Sequence, residues 1–369
     1  MLLQHLALSN FRNYAQLDLE PAGGLNVYVG ANAQGKSNLL EGIAMLGTGK
    51  SFRTSHEGDV VRGDGDTAVV RGEAVLRAGR IELVCTIEKS VRGTRKAYTV
   101  NGSAVRYAGY LGRIRVVTFV PGDLALAAGT PGVRRAFLNV ALSQSEARYY
   151  HELARYRKAL QQKNALLRGA VAPDAELLAV YERTLIAAGT EIMLARAALI
   201  EELARVARRA HAQFAQSERL DVTYEPNVAF EHASREAIAA ALELRLDQTR
   251  EAERTRKTSL TGPHRDDVGL SLDGASLAAY GSQGQQRTAV LALKIAEYAV
   301  MRDRSQEAPL LLLDDVLSEL DEDRAAALLR EIGQYDQAFV TATHLPAGLR
   351  AGASVARVEE ARIEAYVAC

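Results

Sequence analysis

The sequence predicts an α/β fold, a mixed β-sheet with helices, whose two halves lie at opposite ends of the chain and enclose an inserted helical segment. Three observations carry this expectation. A glycine-rich loop at 30–37 stands between an apolar strand and a helix, a second apolar strand at 310–313 ends in two aspartates, and alanine-rich helical periodicity fills much of the stretch between them.

Gly30-Ala31-Asn32-Ala33-Gln34-Gly35-Lys36-Ser37 is a complete G-x-x-x-x-G-K-S phosphate loop. The run Leu25-Asn26-Val27-Tyr28-Val29 before it reads as a buried strand, and residues 37–43 after it carry helical periodicity. Gly30 and Gly35 permit dihedrals and close approach that a Cβ would forbid, so successive N–H groups can turn inward onto phosphate oxygens. The positive end of the helix adds to this cradle. Lys36 is placed to reach the β- and γ-phosphates, and the Ser37 hydroxyl to ligate Mg²⁺. An ordinary glycine turn before a helix is the bland alternative.

Far downstream, Leu310-Leu311-Leu312-Leu313 makes a short, fully apolar strand with Asp314 and Asp315 at its carboxyl end, a Walker B pattern. Alone it is weak, because any buried parallel strand that ends in a polar loop looks this way. Paired with the phosphate loop it completes a nucleotide site. Asp314 would hold Mg²⁺, and Asp315 would orient or deprotonate the attacking water beside the γ-phosphate. Between the two, Tyr280-Gly281-Ser282-Gln283-Gly284-Gln285-Gln286-Arg287 opens a long helix running to about Met301. A serine and a glycine at that place also serve as plain capping and turn residues.

The order of these features resembles the motif series of ABC-type ATPase heads: phosphate loop, S-x-G-Q-Q helix start, Walker B, Ser318-Glu319-Leu320-Asp321, and a strand at 338–341 leading to Thr343-His344. That resemblance implies an ABC-type P-loop head in which Ser282, Gly284 and Gln285 of one subunit close over ATP bound by the other, while His344 senses the γ-phosphate. A narrower resemblance runs through Asn10-Phe11-Arg12-Asn13-Tyr14, Ser51-Phe52-Arg53, Arg134-Arg135-Ala136-Phe137-Leu138, Thr261-Gly262-Pro263-His264-Arg265-Asp266-Asp267, the 282–287 motif and the run 313–321. In order and over nearly the whole length, these are similar to the RecF family of bacterial recombination mediators. With them, Arg12 and Asn13 join the nucleotide contacts. Two positions depart from the family pattern. Asn139 stands where aspartate is usual, and Val120-Pro121-Gly122-Asp123-Leu124 has glycine where an acidic residue is commoner, which leaves open which loop couples nucleotide to the helical lobe.

At 369 residues, 24% charged and 48% hydrophobic, the chain has the make-up of a soluble protein with one large or two moderate domains. Its formal net charge is zero, so any nucleic-acid surface must be local. Cys85 and Cys369 support neither a disulfide framework nor a C-x-x-C metal site. No signal peptide or long apolar run appears, so a cytoplasmic protein without a membrane span is expected.

The expected division places residues 1–132 and 257–369 in the head and 133–256 in a mainly helical lobe. Residues 67–76 and 80–88 read as paired strands about Gly79. Helices run from about 133 to 217, broken near 169–173, followed by a strand at 220–224 and a charged helix at about 233–256. The insert is far shorter than the coiled coils of structural-maintenance ATPases and contains no cysteine, so it forms only a short arm or lobe. Its first helix, 146–168, carries Arg148, Arg155, Arg157, Lys158, Lys163 and Arg168 against Glu146 and Glu152. This is either a solvated face or a surface that tracks DNA phosphates. On the second reading Arg155, Arg157, Lys158 and Lys163, together with Arg53, are the DNA-contact candidates.

The resemblance implies an ATP-dependent DNA-binding protein of recombinational repair. Two heads would sandwich two ATP molecules as an ATP-dependent homodimer and clamp duplex DNA near single-strand gaps. With RecR and RecO-type mediators they would help load RecA, and weak DNA-stimulated hydrolysis would release the clamp. Two alternatives remain open. An ABC transporter ATPase subunit would normally carry L-S-G-G-Q and lack the 262–267 stretch. A nucleotide-gated scaffold with negligible turnover is the other, since Asp315 is one methylene shorter than the glutamate usual in transporter heads.

Overall fold

A computed structural model describes the chain apart from residues 64, 91–92, 170–173, 216, 347–348, 350–351, 365–366 and 369. Two compact units emerge: Met1–Leu124 with Arg209–Ser217 and Arg287–Cys369, and Ala125–Arg208 with Glu218–Gln286.

The first unit holds two sheets, the helices Lys36–Thr48 and Glu322–Ile332 and most of the helix Gln283–Ser305. One sheet has a parallel core in the order Ser354–Glu359, Gly24–Val29, Gln337–Ala342, Leu310–Asp314, Val116–Phe119, and the antiparallel strands Arg362–Ile363 and Val367–Ala368 pair with its first member. Central parallel strands are covered on both faces, which is why 310–313 is unbroken leucine and every residue of Gln337–Ala342 is buried. The other sheet is antiparallel, and its strands alternate instead. In Thr67–Leu76 and Gly79–Ser90, the pair expected about Gly79, the side chains of Ala68, Val70, Ile81, Leu83, Cys85 and Ile87 face the core. Burial pushes the Cys85 thiol up to about 12, which makes it a packing residue and not a reactive one.

The helix Lys36–Thr48 is buried continuously from Leu39 to Gly47. Within that stretch only Glu41 is polar; a helix so nearly apolar all round must be enclosed, and its apolar residues join those of both sheets in one core cluster. Gly47 permits the close approach this requires: a Cβ there would lie 2.7 Å from the Val116 side chain and 3.0 Å from the Ile114 carbonyl.

The second unit holds the helices Pro131–Ser145, Ala147–Arg168 and Arg235–Arg256, most of Ala175–Ala212, and a three-stranded antiparallel sheet of Leu220–Glu225, Asp267–Leu272 and Ala275–Ser276. Helix ends at Arg168 and Ala175 flank the expected break, of which residues 170–173 lie outside the described residues. The expected division at 132/133 and 256/257 is displaced: residues 257–286 belong to this second unit. Strand pairing explains the shift, since Asp267–Leu272 runs in full register against Leu220–Glu225.

A buried polar network fixes the same segment. Arg196, 2% exposed, donates to Asp266 Oδ2 at 2.9 Å, to the Pro263 carbonyl at 2.6 Å and to Asn139 Oδ1 at 3.0 Å. Arg134 grips Asp267 with two bonds of 2.7 Å, and Arg135 donates to the Asp266 carbonyl at 2.7 Å. Asn139 also accepts from the Tyr149 hydroxyl at 2.7 Å, so the amide oxygen at this position serves two donors. His264 lies with Nδ1 2.6 Å from the Tyr156 hydroxyl, and burial pushes its pKa down to about 4, leaving a neutral ring.

One DNA-contact candidate is overturned. Lys163 is wholly buried, with Nζ 2.6 Å from Glu253 and 3.1 Å from Glu182. Its position on the inward face of Ala147–Arg168, in step with buried Tyr149, Leu153, Tyr156, Ala159 and Leu167, withdraws it from any phosphate. Lys163→Ala would leave the buried Glu253 without its cation, and Glu182 with only Arg250 at 3.5 Å, so it should cost about 3–5 kcal/mol in urea unfolding. A loss below about 1 kcal/mol would show that the pair is not structural.

Candidate nucleotide-binding site

Gly24–Val29, Gln337–Ala342 and Leu310–Asp314 are consecutive parallel neighbours, so the loops leaving their carboxyl ends converge at one edge of the sheet. Asp314 Oδ1 is the meeting point. It accepts the Ser37 hydroxyl at 2.7 Å and the Thr341 hydroxyl at 2.9 Å, and Thr341 Oγ1 in turn accepts the Asp315 N–H at 2.9 Å. Residues 277 positions apart are thereby held in contact. The adjacent hydroxyl and carboxylate are hard oxygen donors of the kind Mg²⁺ takes, with water and phosphate completing its shell.

Asp315 adopts the left-handed conformation, φ 52°, at the strand end. Its Oδ1 is buried and has no hydrogen-bond partner among the described residues. A buried carboxylate oxygen without a donor is costly, and a group poised to accept a proton or orient a water is one reason to keep it. Lys36 is 6% exposed, and its Nζ donates to the Gly30 and Ala31 carbonyls at 2.7 and 2.8 Å. Burial lowers its pKa, while Asp315 and Asp314 push it back up.

The loop is tight for reasons beyond phosphate. A Cβ on Gly30 would stand 2.2 Å from the Val358 carbonyl oxygen, and Gly35, at φ 118°, would bring one to 2.8 Å from Asn13 Nδ2. Arg12 and Asn13 form the two-residue turn between the strands Leu2–Phe11 and Tyr14–Leu19. Asn13 adjoins the loop, donating to the Gln34 carbonyl at 3.3 Å and accepting from Asn38 Nδ2 at 2.7 Å. Arg12 instead has its guanidinium engaged by the fully buried Glu41, at 2.8 and 2.6 Å, and by the Asp59 carbonyl at 2.9 Å. Arg53 is 45% exposed beside the same helix, donating to Asn38 Oδ1.

His344 is exposed and shares with Gly30, Asn32, Arg357 and Glu364 the lining of a cleft of about 710 Å³. Ser282, Gly284 and Gln285 belong to the second unit. Ser282 caps the helix Gln283–Ser305 reciprocally: its Oγ accepts the Gln285 N–H at 3.2 Å, and its own N–H donates to Gln285 Oε1 at 2.8 Å. Gln285 Nε2 also donates to Glu218 at 2.8 Å. On the helix Ala147–Arg168, Arg155, Arg157 and Lys158 are exposed, Arg155 being paired with Glu152 at 2.8 Å.

Sequence reasoning passed over Thr341 and Glu41. Each carried a signal, for a hydroxyl in a buried parallel strand and a carboxylate on an enclosed helix both need partners.

The family model described as RecF/RecN/SMC N terminal domain matches residues 2–362. The DNA replication and repair protein RecF of Symbiobacterium thermophilum is 42% identical over 351 residues, covering 94% of this chain and 92% of its own; that of Gloeobacter violaceus is 41% identical over 350 residues, with the same coverage. Among solved structures, the recombination mediator protein RecF-ATPrS in the RecFOR pathway superposes with a TM-score of 0.91 at 30% identity, covering 100% of this chain and 98% of its own. The SmcHead bound to the C-winged helix domain of ScpA reaches a TM-score of 0.57 at 14% identity, covering 100% of this chain and 97% of its own, a likeness of fold alone. A family model spanning nearly the whole chain, and relatives at this identity over this coverage, establish that the chain belongs to the RecF family within the RecF/RecN/SMC class.

Proposed function

We propose that the protein is an ATP-dependent DNA-binding protein of recombinational repair, acting as a RecF-type mediator alongside RecR and RecO-type partners and RecA. The observation that carries the reading is the contact of Ser37, Asp314 and Thr341 at the head of the phosphate loop, in a chain so similar to RecF proteins.

In this reading the loop N–H groups and Lys36 hold the β- and γ-phosphates, and Ser37 with Asp314 hold Mg²⁺, which when bound neutralises charge on the phosphate oxygens. Asp315 orients the attacking water and accepts its proton, and His344 contacts the γ-phosphate side. Ser282 and Gly284 close the site from a second copy, so ATP favours the dimer by mass action. The dimer then clamps duplex DNA near gaps, and slow hydrolysis opens it. No helix among the described residues is long and apolar enough to cross a membrane.

Lys36→Ala removes a charge-assisted contact to the phosphates, so ATP affinity should fall about tenfold to a hundredfold in calorimetry. Unchanged affinity in the folded variant would sink the assignment of the loop.

Asp315→Asn keeps shape but loses the base. ATP should still bind while turnover drops about a hundredfold or more, and sedimentation on gapped DNA should show an accumulating ATP-bound dimer. Wild-type turnover would transfer the water-positioning role to another residue.

Exposed Arg155, Arg157 and Lys158 remain the phosphate-contact candidates on the helical lobe. Changing all three to Ala should weaken gapped and blunt duplexes alike, and the slope of log affinity against log salt should flatten by about 0.9 for each DNA phosphate no longer neutralised. A wild-type salt slope would make this helix a solvated face.

A further inference from the structure

Gln34, the last variable position of the phosphate loop, faces away from the phosphates and into a second turn. Its side-chain Oε1 accepts the Glu360 N–H at 2.6 Å, and its main-chain carbonyl accepts the Ala361 N–H at 2.9 Å. Glu360 and Ala361 form the tip of the hairpin between Ser354–Glu359 and Arg362–Ile363, where Glu359 pairs with Arg362. Both adopt positive φ, 48° and 59°, without being glycine. Two adjacent left-handed residues are what a two-residue hairpin turn needs, and non-glycine residues hold that shape at a cost. The same hairpin presses the Val358 carbonyl against Gly30 at the other end of the loop.

The geometry has a direct consequence for phosphate binding. In a trans peptide the carbonyl and the following N–H point in opposite directions. With the Gln34 carbonyl held outward by Ala361 and by Asn13 Nδ2, the Gly35 N–H of the same peptide plane is aimed inward. One residue later, the Gly35 carbonyl accepts the Tyr14 hydroxyl at 3.1 Å and the Leu39 N–H at 2.9 Å, which orients the Lys36 N–H in the same sense. Two turns distant in sequence, at 12–13 and 360–361, thus grip the loop from outside. Donors fixed before the anion arrives are worth more than donors that must be ordered by it.

We infer that the 360–361 hairpin tip is a positioning element of the nucleotide site, acting through Gln34 to preset the phosphate-binding N–H groups. This rests on the ATP-site reading above. The test is ATP–Mg²⁺ binding to the full-length chain by calorimetry, with amide exchange read at the hairpin. Gln34→Ala should weaken ATP about fivefold to tenfold, the size of effect expected for one neutral hydrogen bond. In the wild-type protein ATP should slow exchange of the Glu360 and Ala361 amides, and Gln34→Ala should erase most of that linkage.

Wild-type affinity in Gln34→Ala, or ATP-independent exchange at 360–361, would each overturn the inference. Lys36→Ala in the same assay separates the two levels. If Lys36→Ala loses ATP while Gln34→Ala does not, the hairpin role fails and the ATP site stands; if Lys36→Ala binds normally, the site itself fails.

Discussion

One carboxylate oxygen ties the architecture to the site. Asp314 Oδ1 accepts hydroxyls from Ser37 and Thr341, so it joins the start of the phosphate-loop helix to the ends of two strands encoded almost three hundred residues later. This contact exists only if Gly24–Val29, Gln337–Ala342 and Leu310–Asp314 are parallel neighbours in correct register, with Thr341 opposite both Tyr28 and Asp314. A slip of one residue in either pairing would turn the Thr341 or Asp314 side chain to the other face of the sheet. The all-leucine strand and the glycine-permitted approach of the enclosed helix are therefore conditions of the chemistry as well as of packing.

A similar economy governs the second unit, where charge and not apolar area fixes the decisive contacts. Arg134, Arg135 and Arg196 converge on Asp266 and Asp267, with Asn139, Tyr149 and Tyr224 taking up further hydrogen-bonding capacity. Buried ions are expensive unless every donor and acceptor is matched, and a matched network is selective about the backbone it accepts. Here it pins the segment carrying 262–267 between Pro131–Ser145 and Ala175–Ala212, ahead of the helix that begins at Gln283. Two motifs that stand well over a hundred residues apart are thus halves of one lock. The 134–138 arginines and the 266–267 aspartates occur together because neither can be buried alone.

The legible part of the sequence was the local part. The phosphate loop, the leucine strand with its aspartates and the hairpin about Gly79 all announce themselves through spacing that short-range geometry requires. The domain edge was misread because the strand Asp267–Leu272 follows a helical insert, and only its pairing with Leu220–Glu225 assigns it to the second unit. Lys163 was misread for a related reason. Counting basic residues along a helix ignores which face they occupy, and Lys163 shares its face with Tyr156, Ala159 and Leu167. The Arg12 partner was not legible either: its guanidinium is held by Glu41, a carboxylate the pattern gave no reason to pair with it.

The serine at the start of Gln283–Ser305 shows why capping and ligand contact need not compete. In the cap, Ser282 Oγ acts as acceptor for the Gln285 N–H, and the Ser282 N–H is satisfied by Gln285 Oε1. A hydroxyl offers two acceptor sites and one donor, so the cap consumes an acceptor and leaves the O–H to be directed elsewhere. Ser282 is exposed, and the donor is one that an anionic oxygen can accept. The cap also fixes the χ1 freedom of Ser282, at a helix end whose partial positive charge favours an anion. The residue pattern that made plain capping a fair reading of 282–285 is therefore compatible with a phosphate contact as well, since the cap leaves the hydroxyl donor unspent.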